Sequence, residues 1–222
     1  MQVINLSENN SVLNMFLSEI RDVQIQQDPL RFRRNIERIG ELMAVEVSRK
    51  LNYAPKEVTT PLGKATVQQI TDKVVLGTIL RAGLPLHQGF LNIFDRAENA
   101  FLSAYRRAGR VVDGKQELEI VAEYLAAPEL DGKTLVLVDP MLATGMSMEV
   151  AFRALLSHGR PAHAHLCCVI GTNEAVKYLE SNLPADADVT LWCAAIDPEL
   201  NTKKYIVPGL GDAGDLCFGG KL

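Results

Sequence analysis

The sequence predicts an α/β protein with a mostly parallel central sheet flanked by helices. Three observations predict it. Short, mostly apolar runs at 73–80, 135–138, 164–170 and 189–196 are bounded by polar residues, the pattern of strands buried on both faces. Stretches of helical spacing lie between them, at 148–157 and 173–183. Such alternation implies crossover helices and ligands at the strands' C-terminal ends. Finally, 222 residues with a 47% apolar fraction fit a single domain, 1–222, with a sizeable core and a projecting arm or hood.

Composition excludes several classes. Net charge is −4 and pI about 5.6, a balance that points away from a nucleic-acid partner. No apolar run approaches the roughly 18 residues that span a bilayer, so no membrane partner is expected. The N-terminus has neither a basic region nor a long apolar core, so no signal peptide is expected. Four cysteines (167, 168, 193 and 217) form no Cys-x-x-Cys pair and read as reduced residues of a cytoplasmic protein. The histidines at 87, 158, 163 and 165 do not cluster with them at a ligand spacing, so no protein-held metal is expected.

Asp28-Pro29 opens a helix, with Asp as N-cap and Pro in the first turn. It runs to about residue 51 and carries Leu30, Ile36, Ile39, Met43 and Val47 on one stripe. Arg31, Arg33, Arg34 and Arg38 lie mostly off it, as a solvated face or a basic anion site. Runs at 56–60 and 64–68 flank Thr-Pro-Leu-Gly and suggest a hairpin. The 73–80 strand runs into Arg81-Ala-Gly-Leu-Pro85. An Arg at a strand end, before small residues and a helix, reads either as an anion cradle or as an exposed turn. A strand at 99–107 ends in Tyr105-Arg106-Arg107, and Asp113-Gly114 signals the turn of a projecting hairpin.

The organising stretch is Val138-Asp-Pro-Met-Leu-Ala-Thr-Gly-Met-Ser147. Asp139 puts one carboxylate at the end of a buried strand. Ala143, Thr144 and Gly145 are small enough to fold closely round a ligand. The following helix would turn backbone N–H groups and its positive dipole end to the loop, with Thr144 and Ser147 as added donors. Asp139, acceptor-only when ionised, suits sugar hydroxyls beside a phosphate. An ordinary strand-to-helix turn remains the alternative, and no Gly-Lys-Ser/Thr follows to make a P-loop. In the tail, Gly209-Leu-Gly-Asp-Ala-Gly214 matches G-x-G-x-x-G formally. A proline precedes it and too little chain follows for a βαβ unit, so a dinucleotide site is rejected.

Three of these stretches resemble the uracil phosphoribosyltransferases. Residues 138–145 look like that family's phosphoribosyl-diphosphate loop, Ile79-Leu-Arg-Ala-Gly-Leu84 like its pyrophosphate loop, and Tyr205-Ile-Val-Pro-Gly-Leu-Gly-Asp-Ala-Gly-Asp215 like its uracil segment almost letter for letter. The 28–51 helix, with Ile20-Arg-Asp22 before it, also looks like the family's N-terminal helices. The resemblance covers about residues 16–222. It implies a phosphoribosyltransferase-like fold with a C-terminal base-binding segment and a hood. It further implies transfer of phosphoribose from 5-phosphoribosyl 1-diphosphate to uracil, giving UMP and diphosphate in pyrimidine salvage. It assigns the catalytic roles to Arg81, Asp139 and Asp212. Phosphoribosyl diphosphate would meet Arg81, Arg106, Asp139, Pro140, Met141, Leu142, Ala143, Thr144, Gly145, Met146, Ser147 and Asp212. Ile206, Gly211, Asp212 and Ala213 would line uracil. Mg²⁺ would arrive with the diphosphate. The resemblance also implies a non-proline cis peptide in the pyrophosphate loop, a homodimer or homotetramer, and GTP as an effector.

Three positions depart from the family pattern. Met146 stands where relatives carry a second Gly, Leu216 where a basic residue is usual, and Gly220 where Thr is usual. The hood lacks the family's Lys-Leu-Pro, with residues 124–128 in its place. These departures define an alternative: a catalytically weakened homologue that binds UMP or phosphoribosyl diphosphate as a sensor.

Overall fold

The computed structural model describes residues 1–112 and 115–220, with side chains described outside 104–123. β1 (Gln2–Asn5) precedes α1 (Leu13–Arg21), and α2 (Pro29–Ser48) follows. Asp28 caps α2 by accepting from the N–H of Leu30 and of Arg31 at 2.9 and 3.2 Å. Ile36, Ile39, Met43 and Val47 are buried on its inner face as the stripe predicts. Leu30 is exposed, and Phe32 takes the buried place in that first turn. The arginines form no common site. Arg31 pairs with Glu19, Arg34 with Glu37, Arg33 donates to the Cys217 carbonyl and Arg38 to Asn35.

β2 (Tyr53–Thr60) and β3 (Gly63–Ile70) form the expected hairpin, paired with each other and not with the main sheet. β4 (Val74–Leu80), α3 (Gly83–Ile93), β5 (Glu98–Val112) and β6 (Lys115–Ala126) follow. β5 and β6 pair antiparallel with Val112 opposite Lys115, so the projecting hairpin is present. Its Asp113-Gly114 turn lies outside the described residues. Next come β7 (Thr134–Val138), β8 (Met141–Leu142), α4 (Met146–Leu155), β9 (His163–Thr172), α5 (Asn173–Asn182) and β10 (Val189–Asp197). A second small pair, β11 (Glu199–Leu200) and β12 (Ile206–Val207), leads to α6 (Ala213–Phe218). The sequence gives α4 a later start, at 148. In the structure the helix begins two residues earlier, on the phosphate-loop motif itself.

The eight-stranded sheet has the order β1-β10-β9-β7-β4-β5-β6, with β8 on β9. All its pairs are parallel except β5–β6. The apolar runs follow from burial on two faces. In β7, Val136 and Val138 join one apolar cluster with residues of α1, α2 and α3. Leu135 and Leu137 join another with residues of α4 and α5, the two-residue alternation of a strand. The chain leaves β4 toward β5 and leaves β7 toward β9, in opposite directions along the sheet. Right-handed crossovers then put α3 and α4 on opposite faces. The crevice beyond the ends of β4 and β7 is the switch point where an α/β sheet binds ligands. Among the described residues, no helix is long and apolar enough to cross a membrane.

Candidate active site at the strand ends

β4 and β7 run in register, Thr78 beside Val138, so Arg81 and Asp139 emerge at the same sheet edge. The Leu80–Arg81 peptide is cis, as the resemblance implies. Gly83, opening α3, sits so close to Thr78 Oγ1 that a Cβ would collide with it, and that Cβ would lie 3.3 Å from the Val138 carbonyl. The turn after β4 therefore lies directly on the end of β7. Arg81 reaches across to the C-terminal segment. Its Nη2 donates to the Gly219 carbonyl at 3.3 Å and lies 3.9 Å from Asp215 Oδ1.

The 139–147 loop is built by its neighbours. The Asp139 N–H donates to the Cys167 carbonyl, and the Pro140 carbonyl accepts from the N–H groups of Val169 and Ile170. Met141 and Leu142 pair with β9 as β8. Thr172 Oγ1 donates to the Ala143 carbonyl at 2.7 Å and itself accepts from the Ala175 N–H at 3.0 Å. One hydroxyl thus ties the loop to the start of α5. Gly145 takes the sharp turn, with φ +82°; a Cβ there would lie 3.0 Å from Tyr178 Cδ1 and 3.1 Å from the Ala175 carbonyl. Met146 begins α4. Lys204 is the non-glycine residue with positive φ among the described residues, so Met146 does not carry the left-handed turn. The first N–H groups of α4 have no partners within the helix, and its N-cap, Gly145, has no side chain to cap them. They face the loop with Thr144 and Ser147, both half-buried.

Asp139 is half-buried, and its Oδ1 accepts a long 3.5 Å bond from the Met141 N–H. Burial pushes its pKa up to about 7, with that N–H pulling weakly the other way. Two acceptor oxygens therefore stand at the strand end with one weak partner between them, a chemistry suited to receiving hydroxyl donors.

The C-terminal segment closes the site. The end of its glycine-rich run is helical and opens α6. Asp212 is the N-cap of that helix, its Oδ1 accepting from the Asp215 N–H at 3.0 Å. Ile206 and Ala213 are buried, and Gly211 is exposed with φ +95°. The Val207–Pro208 peptide is cis. Arg106 has its backbone in β5, but its side chain lies outside the described residues. The structure thus brings the loops at 81, 139–147 and 206–215 to one edge.

A family model described as uracil phosphoribosyltransferase matches residues 7–220. The chain belongs to that family. It is 53% identical over 222 residues, all of both chains, to the uracil phosphoribosyltransferase of Porphyromonas gingivalis. It is 40% identical over 194 residues to that of Methanothermobacter thermautotrophicus, covering 86% of this chain and 85% of the other. Among solved structures, AQ2163 of Aquifex aeolicus superposes with a TM-score of 0.84 at 30% identity, covering 98% of each chain.

The sequence did not bring out Thr172 or Asp197, and it named Arg21 and Arg33 without the contacts they make, Arg21 with Asp197 and Gly209 and Arg33 with the Cys217 carbonyl. Thr172 has a local signal, a hydroxyl residue just before a helix. The others act through contacts distant in sequence and leave no pattern to read.

Proposed function

We propose that this chain, acting as one phosphoribosyltransferase domain, transfers phosphoribose from 5-phosphoribosyl 1-diphosphate to uracil, giving UMP and diphosphate. The observation that carries it is the convergence of three family motifs on one sheet edge: Arg81 after β4, the 139–147 loop after β7, and the 206–215 segment. The N-terminus of α4, with Thr144 and Ser147, receives the 5′-phosphate. Asp139 accepts from the ribose hydroxyls, while Pro140, Met141, Leu142 and Ala143 form the loop's rim. Arg81 and Arg106 meet the diphosphate, and Asp212 approaches the same substrate.

The C1′–oxygen bond to diphosphate breaks as uracil N1 bonds C1′ and gives up its proton. Charge develops on the leaving diphosphate, where a planar guanidinium stabilises it most. Mg²⁺ enters as part of the diphosphate substrate and neutralises some of that charge. Uracil is read by backbone groups of Ile206, Gly211 and Ala213. A carbonyl accepts from N3–H and N–H groups donate to the exocyclic oxygens. Cytosine reverses this pattern and would leave buried polar groups unpaired, at about 1–3 kcal/mol each.

Two finer parts of the reading concern assembly and control. Leu62 at the tip of the β2–β3 hairpin is fully exposed, and Tyr53, Val67 and Ile70 are 45, 40 and 39% exposed. A homodimer or homotetramer would cover such surface. GTP as an effector follows from the family resemblance alone. Light scattering tests the first, and assays with and without GTP test the second. The deciding experiment is an assay of purified protein with Mg²⁺ and uracil, cytosine or guanine. UMP should form from uracil, with no product from the other bases. Binding of UMP without turnover would overturn the enzyme reading in favour of a sensor.

A further inference from the structure

A base read by backbone groups poses a positioning problem. No side chain can adjust its rotamer to the base, so the height and tilt of the segment itself must be fixed. The 206–213 stretch cannot supply this locally. β12 has two residues, α6 has six, and Gly209 and Gly211 both have positive φ.

The segment is instead gripped at one peptide. Arg21 Nη1 and Nη2 donate to Asp197 Oδ2 and Oδ1, each at 2.8 Å. The same Nη1 donates to the Gly209 carbonyl at 3.0 Å, and the Gly209 N–H donates to Asp197 Oδ2 at 2.8 Å. Both polar groups of Gly209 are therefore held by one ion pair. Asp197 is only 5% exposed, which removes the solvent that weakens surface pairs. Each partner ends a rigid element, Arg21 closing α1 and Asp197 closing β10. A Cβ on Gly209 would strike the Ile206 carbonyl, so the turn is tight as well as anchored.

We propose that Arg21 and Asp197 are positioning residues for the base: their ion pair sets the Gly209 peptide, and through it the backbone groups of Ile206, Gly211 and Ala213 that meet uracil. The inference rests on the proposed function. Neither side chain needs to touch substrate. Misplacing a recognition group by about 1 Å can cost on the order of 10²-fold in rate, and the 139–147 loop, held by β9 and Thr172, does not depend on this pair.

The test is steady-state kinetics on Arg21→Met and Arg21→Lys, with thermal unfolding as the fold check. Lys keeps the charge but loses the bidentate fork. Arg21→Met should raise KM for uracil about tenfold or more and Arg21→Lys by a smaller factor, while KM for phosphoribosyl diphosphate should rise clearly less in both, by the part that Asp212 carries from the same segment. Amides at 209–213 should exchange hydrogen faster in Arg21→Lys than in the wild type. If Arg21→Met does not fold, Arg21→Lys carries the test alone. An unchanged uracil KM, or an equal rise in both KM values, overturns positioning and reduces the pair to a stabilising contact. No UMP from the wild type would instead overturn the function reading itself, so the two failures are distinguishable.

Discussion

The two ligand-facing regions at the sheet edge are built in opposite ways. The 139–147 loop takes its shape from regular structure: a buried strand before it, β8 pairing within it, a helix N-terminus after it and one hydroxyl tie from Thr172. The 206–215 segment has only a two-residue strand and the first turn of a six-residue helix, with positive-φ glycines between them. It hangs on side chains from remote elements, Arg21 and Asp197 at Gly209 and Arg33 at the Cys217 carbonyl. A loop shaped by its own elements should tolerate side-chain changes and fail where backbone geometry is altered. A segment held by distant ion pairs should fail when those pairs are cut. Arg81 bridges the regions, since it leaves β4 beside the end of β7 and bonds to Gly219.

The largest effect is expected at that bridge. Arg81→Ala should lower kcat/KM by about 10²-fold or more, the scale of an electrostatic contact that strengthens as charge develops. Arg81→Lys should recover only part of the loss, because an ammonium lacks the planar fork. Near-normal turnover by Arg81→Ala would make the β4–α3 turn structural only.

Asp139 tests the phosphate loop. Asp139→Asn should weaken phosphoribosyl diphosphate binding more than uracil binding, and equal losses in calorimetry would sink that assignment. Its pH dependence has a definite sign. Burial raises the folded-state pKa to about 7, against about 3.9 unfolded. The folded protein therefore binds the proton more tightly, so Asp139 lowers stability as pH rises from about 4 through about 7. Asp139→Asn should remove that slope in unfolding measurements. In the wild type, kcat/KM for phosphoribosyl diphosphate should fall as pH drops through about 7, since the protonated carboxyl is a poorer acceptor. The part of that fall due to Asp139 should be missing from the Asn variant.

The same contrast explains what the sequence could reveal. β4, β7, β9 and β10 were legible because strands buried on both faces read as apolar runs, and α2 because Asp28-Pro29 caps it. The phosphate loop was legible as a strand, small residues and a helix in succession. α1 buries Leu13, Leu17 and Ile20 at helical spacing, yet its role at the site is carried by Arg21, 176 residues from Asp197. No local period encodes such a pair. α6 was obscured because its six residues begin among glycines, and glycine weakens the helical signal. The uracil segment was therefore recognised by its letters, and the means of holding it emerged only from the fold.

Gly145 should show a smaller loss than Asp139. Its φ of +82° lies where a side chain is strained, and a Cβ would press on Tyr178 and the Ala175 carbonyl. A left-handed conformation costs a non-glycine residue roughly 1–2 kcal/mol. Gly145→Ala should therefore raise KM for phosphoribosyl diphosphate by about tenfold and leave KM for uracil unchanged. A matching rise in uracil KM would mean that the two regions are mechanically coupled.

Met146 should show the least. The family resemblance leads one to expect Gly at this position, and a side chain inside a phosphate loop could narrow it or oppose a positive φ. The structure removes the second concern, because Gly145 takes the left-handed turn and Met146 enters α4 in ordinary helical geometry. It also weakens the first. The loop is held by backbone pairing and by Thr172, and a residue in the first turn of a helix can present its N–H to a phosphate while its side chain points elsewhere. Met146→Gly should leave KM for phosphoribosyl diphosphate within about threefold, a change under about 1 kcal/mol. It should slightly destabilise the protein, since Gly costs a helix up to about 1 kcal/mol. A tenfold or larger fall in that KM would show the Met146 side chain obstructing the phosphate, and the loop would then depend on side chains as much as the uracil segment does.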